Sequence, residues 1–313
     1  MSRSEIEHVP VLSEVLMSLV DPRPGETVVD ATVGHGGHAE LLAGAIGSGG
    51  RFIGLDIDES NLARARSRVE KAMAGKSSPS LHWVRANFSE LGSVLDELGV
   101  SRVDVILADL GVSTDQLLDS SRGFTFSEDG PLDMRIDQRL ETTAADVVNR
   151  LEENELADLI FHSSQERFSR RIAKRICEAR REKRIRTVSE LVGIVCSAMG
   201  VSGSFSRHRI HPATRTFLAL RMAVNHELEH LQELLEYAPR RLSVGGRLAV
   251  ISFHSGEDRI VKQNFLDRKR DGVYEIRTKK PVQASSEETL RNPRARSAKL
   301  RVALRLASAQ GSA

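Results

Sequence analysis

The chain has 313 residues, 40% hydrophobic and 28% charged, which excludes a disordered chain and suffices for one large domain or two modest ones. No apolar run reaches membrane-span length, and the polar first ten residues do not read as a signal peptide; the two cysteines form no disulfide framework, so a cytoplasmic protein is expected. The net charge of +2 conceals two unlike halves: residues 1–160 hold 14 Lys and Arg against 28 Asp and Glu, residues 161–313 hold 31 against 15, and so basic a half points to a polyanionic partner.

Thr27 to Ala31 reads as a strand and His38 to Ala45 as the helix after it. A second strand, Arg51 to Asp56, precedes a helix over Asn61 to Ala74. Leu81 to Ala86 is a third strand, and Asp104 to Leu110 a fourth, apolar enough for burial on both faces. Strands alternating with helices predict an α/β fold, a doubly wound, Rossmann-like parallel sheet. That rhythm stops near Ser120. Between Thr143 and Met199 no strand is legible, and the pairs Thr143/Asp146, Ser163/Glu166 and Thr187/Glu190 mark three helix starts. Ala213 to Tyr237 reads as one long helix with Phe217, Leu220, Val224, Leu228, Leu231 and Leu235 on a common face. Gly245-Gly246 breaks the chain before a fifth strand, Arg247 to Phe253, and Val273 to Thr278 with Lys299 to Leu306 form a closing pair. The organisation expected is a discontinuous sheet domain, residues 1–120 and 213–313, carrying an inserted all-helical domain, residues 121–212.

The first strand ends in Asp30, and Gly34, Gly36 and Gly37 follow in a loop that opens a helix. Such a loop lets backbone approach a ligand, although a tight strand-to-helix turn would use the same residues. Its Gly-x-Gly-Gly spacing lacks the third glycine of a dinucleotide fingerprint, which favours S-adenosylmethionine over a pyrophosphate cofactor. Asp56, at the end of the second strand, is placed to accept from ribose hydroxyls. Asp58 is its rival and fits a helix cap better. Phe88, after the third strand, is positioned to pack on a purine or to serve as ordinary core. Asp109 ends the buried fourth strand, where an unused carboxylate would be costly. Cys177 and Cys196 fall in helical segments and not at strand ends, which disfavours thiolate-assisted carbon methylation. Basic residues concentrate in Arg167 to Arg186, in Arg207-His208-Arg209-Ile210-His211 and in Arg291 to Arg305, segments suited to phosphates. No histidine or cysteine set has metal-ligand spacing, and no metal is expected.

Several segments together resemble the bacterial 16S ribosomal RNA cytosine-N4 methyltransferases, the MraW family. Near the start these are His8-x-Pro10-Val11-Leu12, Gly36-Gly37-His38 and Asp109-Leu110-Gly111-Val112-Ser113. Arg122-Gly123-Phe124, Pro131-Leu132-Asp133-Met134-Arg135, Glu166-Arg167-Phe168, His211-Pro212-Ala213-Thr214-Arg215 and Val224-Asn225-x-Glu227-Leu228 continue the series. Gly245-Gly246-Arg247-Leu248, Ile251-Ser252-Phe253-His254-Ser255, Glu257-Asp258-Arg259-Ile260-Val261-Lys262 and Asn292-Pro293-Arg294-Ala295-Arg296-Ser297 complete it. The resemblance implies S-adenosylmethionine as donor and the exocyclic amino nitrogen of a cytosine in 16S ribosomal RNA as acceptor, within the small ribosomal subunit. It maps donor contacts onto Gly36, Gly37, His38, Asp56, Phe88, Asp109 and Gln116. The loop Ser113-Thr114-Asp115-Gln116-Leu117-Leu118 departs from the family's Ser-Ser-Pro-Gln-Leu-Asp while keeping the glutamine.

Asp109 is the candidate proton acceptor, with His254 as runner-up. Arg294, Arg296 and Lys299 are the candidate RNA contacts, with the helical insert as an RNA-recognition domain. Two other classes fit parts of the pattern: a small-molecule methyltransferase of the same fold, and a non-catalytic RNA-binding ribosome assembly factor.

Overall fold

Runs of β-branched and aliphatic residues separated by amphipathic segments fold into a sheet flanked by helices, and the computed structural model describes residues 10–126, 128–201 and 211–307. The chain divides into two compact units, Met1–Gly111 with Glu229–Ala313, and Val112–Leu228. His8 and the basic stretch Arg207 to Ile210 lie outside the described residues.

In the first unit, α1 (Ser13–Val20) precedes β1 (Thr27–Asp30), α2 (Gly37–Ile46), β2 (Arg51–Asp56), α3 (Glu59–Met73), β3 (Ser80–Arg85), α4 (Leu91–Glu97) and β4 (Val103–Asp109). The second unit holds α5 (Thr114–Leu118), α6 (Ala144–Arg150), α7 (Glu153–Ser164), α8 (Ser169–Glu182), α9 (Val188–Met199) and α10 (Thr214–Val224). The first unit resumes along α11 (Glu227–Arg241) and continues with β5 (Leu242–Ser252), α12 (Ser255–Arg270), β6 (Tyr274–Ile276), β7 (Val282–Gln283), α13 (Ser286–Arg291) and β8 (Lys299–Arg305).

The strand order is β3-β2-β1-β4-β5-β8-β6, with β7 also on β8. β1 to β5 are mutually parallel, and β8 is antiparallel to β5 and β6. Alternate residues face opposite sides. Val28, Phe52, Val105, Leu107, Ala249 and Ile251 join the core made with α1, α2 and α3. Val29, Ile53, Leu55, Ile106, Ala108, Leu248 and Val250 join the core with α4, α11 and α12. β1 lies between β2 and β4, so the chain leaves it in one direction and returns on the other side. That is the switch point at which doubly wound sheets open a crevice beyond their carboxyl ends. The helical unit has its own core, including Val148, Ile160, Ile176, Leu191 and Leu220. None of the described helices is long and apolar enough to cross a membrane.

Four expectations need correction. The predicted long helix is two helices, because Asn225 closes α10 and His226 takes a left-handed φ of 50°. Asn225 is drawn out of a helical continuation by the segment it stitches: its Nδ2 donates to Met134 O at 2.7 Å, and its Oδ1 accepts from Ile136 N at 2.7 Å. Ser163 starts no helix. It lies inside α7, which Gln165 ends at φ 57°, and α8 begins after Phe168, whose N–H donates to Glu166 Oε1. Thr143 and Thr187 do close capping boxes with Asp146 and Glu190. Gly245-Gly246 does not precede the fifth strand but bulges within it: Val103 pairs Leu242 while Val105 pairs Arg247. Gly245 has φ 82°, and a Cβ on Gly246 would lie 2.8 Å from Ser243 O. The units divide after Gly111 and Leu228, where boundaries at residues 120 and 213 were expected. The reason is that α10 packs on α7 in the helical core, and α5 starts at a Ser113–Gln116 capping box.

Candidate active site

The loop after β1 is held on both sides. Ala31 N–H donates to Leu107 O of β4, and Val33 N–H donates to Leu55 O of β2. Gly36 then turns left-handed at φ 80°, and a Cβ there would sit 2.7 Å from Ala65 Cα of α3. Only glycine permits both the turn and that approach. α2 starts at Gly37 without a side-chain cap, so the loop delivers a helix N-terminus to the rim of the sheet.

Three neighbouring strands end there in carboxylates: Asp30 on β1, Asp56 on β2 and Asp109 on β4. Asp56 is buried; its Oδ2 accepts from Gly34 N at 2.9 Å, its Oδ1 from Asp58 N at 2.8 Å, and Asn61 Nδ2 lies 3.3 Å from Oδ2. Asp58 caps α3 through Ser60 N at 2.9 Å, which leaves Asp56 as the carboxylate at the end of the strand. Thr32 links the other two: its N–H donates to Asp30 Oδ1 at 3.2 Å, and its Oγ1 accepts from Asp109 N at 2.6 Å. Asp30 Oδ2 and Asp109 Oδ1 are buried with no hydrogen-bond partner among the described residues. His38, buried at the start of α2, holds Nε2 3.6 Å from Asp109 Oδ2.

The electrostatics follow from burying like charges together. Burial raises Asp30 to about 7 against the Thr32 N–H, and Asp56 adds to the rise. Burial raises Asp56 to about 6, against the N–H donors of Asp58 and Gly34. Asp109 is pushed well above the ordinary carboxylate range by burial, then by Asp30 and Glu257. Glu257 is itself buried because it completes a capping box: Oε2 accepts from Phe253 N at 2.8 Å and from His254 N at 3.2 Å. This acidic crevice suits a cationic ligand with hydroxyl or amine donors, and an adenosyl sulfonium has both. The unmatched acceptors of Asp30 and Asp109 fit such a group.

Phe88 is half-buried after β3, with its ring edge-to-face on His230 at 6.2 Å. Gln116 lies in the helical unit, where its Oε1 accepts from Ser113 N at 2.9 Å. His254 caps α12 with Nδ1 and faces Glu257 Oε1 with Nε2 at 3.1 Å, a structural role. Arg294 is half-buried beside the glycine loop: burial first, then Arg64 and Arg294, depresses the His35 imidazole. Arg296 is exposed, whereas Lys299 pairs with Asp258 Oδ2 at 3.5 Å. Burial raises both cysteine thiols, Cys177 and Cys196, so neither is a ready thiolate. Sequence reasoning missed Asp30, Thr32 and Glu257 as members of the site. Asp30 carried the same signal as Asp109, a carboxylate closing an apolar strand.

A parallel sheet closed by antiparallel β8, with its acids gathered at the carboxyl rim, defines a Rossmann-like methyltransferase fold. The chain belongs to the MraW methylase family, whose sequence model matches residues 5–306. It is 46% identical over 303 residues to a Koribacter versatilis protein named ribosomal RNA small subunit methyltransferase H, covering 96% of this chain and 95% of that one. A Cyanothece protein of the same name is 46% identical over 307 residues, covering 98% and 97%.

Proposed function

We propose that this protein transfers a methyl group from S-adenosylmethionine to the exocyclic N4 amine of a cytosine in 16S ribosomal RNA of the small subunit. The observation that carries the reading is the set of carboxylates at one crevice of the sheet, with Asp30 and Asp56 buried and Asp109 half-buried with its Oδ1 shielded from solvent. The names of its close relatives support the RNA acceptor. S-adenosylmethionine supplies an electrophilic methyl on a sulfonium. Asp56 holds the ribose hydroxyls with the acceptor capacity left beside its backbone donors, and Gly36 and Gly37 allow close backbone approach.

A cytosine amine is a poor nucleophile because its lone pair is conjugated with the ring. Asp109 Oδ1 accepts a hydrogen from it, which localises the lone pair and then receives the proton released on transfer. The raised proton affinity of Asp109 suits that acceptance. His38, 3.6 Å away, orients the carboxylate. The helical unit recognises RNA with the exposed basic face of α8 (Arg170, Arg171, Lys174 and Arg175), opposite its buried Ile172 and Ile176. Arg294, beside the donor loop, and the exposed Arg296 close to it in sequence hold the phosphates near the target base.

Incubation with labelled donor and either small-subunit RNA, assembled subunits or small metabolites tests the reading. Label in an N4-methylcytosine of the RNA is expected. Label in metabolites alone, or none in any acceptor, overturns it.

Donor affinity is expected to depend on pH. A sulfonium favours ionised carboxylates, so its affinity rises as Asp30 loses its proton near 7. The neutral thioether product shares the ribose, so the Asp56 contribution cancels in the ratio of the two affinities. Calorimetry across about pH 5.5 to 8 should show that ratio, donor over product, rising by roughly tenfold. Parallel profiles would mean that the acids do not sense the sulfonium.

A further inference from the structure

We propose that the end of the sheet opposite the carboxyl rim carries a second ligand site, an arginine-lined cleft that holds phosphoryl groups. The cleft has a volume of about 320 Å³, and Arg102, Arg240, Arg268 and Arg305 line it, with Glu236 as the one carboxylate among its described lining residues. Topology brings them together. Arg102 precedes β4, Arg240 closes α11 just before β5, Arg268 lies in the last turn of α12 before β6, and Arg305 ends antiparallel β8.

Two of these positions have an ordinary explanation, since helix C-termini favour cations such as Arg240 and Arg268. That account covers neither Arg102 nor Arg305, and it does not explain four guanidiniums around one cavity. Glu236 is shared, 3.2 Å from Arg240 and also bonded to Arg268. Arg102 donates to the Arg240 carbonyl, and Arg305 donates to Pro239 O at 2.9 Å and Leu306 O at 2.6 Å. These neutral acceptors orient the forks without offsetting their charge.

A second observation is independent of charge counting. Tyr274 is 1% exposed, and its hydroxyl has no hydrogen-bond partner among the described residues. Its ring is fixed edge-to-face on Phe265 at 5.7 Å, and its electrostatic neighbours are Arg268, Arg305 and Glu236, all lining residues. A buried donor without an acceptor is costly and calls for an explanation. Tyr274 does not itself line the cleft, but it follows Val273 and pairs in the sheet with Arg305, which do, and a phosphoryl oxygen seated among the guanidiniums would supply the acceptor behind that wall. Guanidinium forks match phosphate geometry, and several around one cavity favour a ligand with more than one negative charge. The RNA backbone and a free oligophosphate both present that chemistry.

The test uses the full chain, pyrophosphate and a small-subunit RNA fragment, titrated by calorimetry at several salt concentrations. Arg102 and Arg240 are exposed, so R102Q/R240Q keeps the fold, which thermal unfolding checks. Wild type is expected to bind pyrophosphate saturably, and the double variant roughly tenfold or more weakly. Y274F, which keeps the ring, is expected to lose several-fold in affinity with no loss of thermal stability. If RNA affinity also falls and its log–log salt slope drops by about two, the occupant is the RNA backbone. If only pyrophosphate weakens, it is a free oligophosphate. Unchanged binding of both probes in the double variant, or no binding of either by wild type, overturns the site. The inference goes beyond the methylation reading, whose failure would show as absent methyl transfer with anion binding intact.

Discussion

Replacing Asp109 with asparagine is expected to lower methyl transfer roughly 10²- to 10³-fold, the scale seen when one positioned polar group is removed from a reacting centre. Asparagine keeps the volume and one carbonyl acceptor but cannot take a proton. The backbone N–H of residue 109 still reaches Thr32 Oγ1, so the end of β4 stays in place. The 3.6 Å approach of His38 Nε2 becomes a contact with a neutral side chain. Asp30 and Asp56 keep their burial and their backbone donors, Thr32 N–H on Asp30 and the Gly34 and Asp58 N–H groups on Asp56. Donor affinity measured at neutral pH should therefore change far less than turnover. Single-turnover kinetics beside calorimetry separates the two, and equal losses in both would make Asp109 a donor ligand only.

The largest loss of stability is expected at Arg247. This residue follows the β5 bulge and is 8% exposed. Its Nε donates to Val20 O at 2.6 Å, Nη1 to Glu26 Oε1 at 2.8 Å, and Nη2 to Asp21 O at 2.8 Å and Glu26 Oε2 at 2.7 Å. One guanidinium thus ties the end of α1 and the approach to β1 onto the middle of the sheet. Arg247→Met removes the cation and leaves a carboxylate and two carbonyls without their donor, at a cost of about 3–5 kcal/mol. Burial alone would raise the Glu26 carboxyl, but Arg247, joined by the backbone N–H and charge of Arg23, outweighs that and holds it below its ordinary value. A depressed carboxyl stabilises the fold above its unfolded value and loses that contribution as pH falls through its folded value. Urea melts of wild type and variant should therefore differ most near neutrality and converge in acid. A difference under about 1 kcal/mol at neutral pH would show the bridge to be dispensable.

Much of the sheet was legible because its signals are local. Strand ends at Asp30, Asp56 and Asp109 follow from apolar runs that close on a carboxylate, and the caps at Thr143 and Thr187 from side-chain spacing. What was not legible depends on partners distant in sequence. The break at His226 is set by Asn225 reaching back to Met134 and Ile136. Gly245-Gly246 looks like a terminator from its own residues, and only pairing with β4 turns it into a bulge. Glu257 carries no local signal of burial, yet its cap on Phe253 and His254 buries it beside Asp109. Tyr274 and the arginines of the opposite cleft gave no sequence signal, since they converge from five separate segments.

The interrupted sheet also dictates an order of assembly. β4 is almost wholly apolar and needs β5 along its open edge, yet β5 is synthesised only after the entire helical unit. During translation that edge offers unpaired backbone groups and is the segment most exposed to misassociation. The helical unit, contiguous in the chain, can close its own core first. Maturation of the donor crevice therefore waits on β5 and the start of α12 to leave the ribosome, and a nascent chain stalled before them has no completed site.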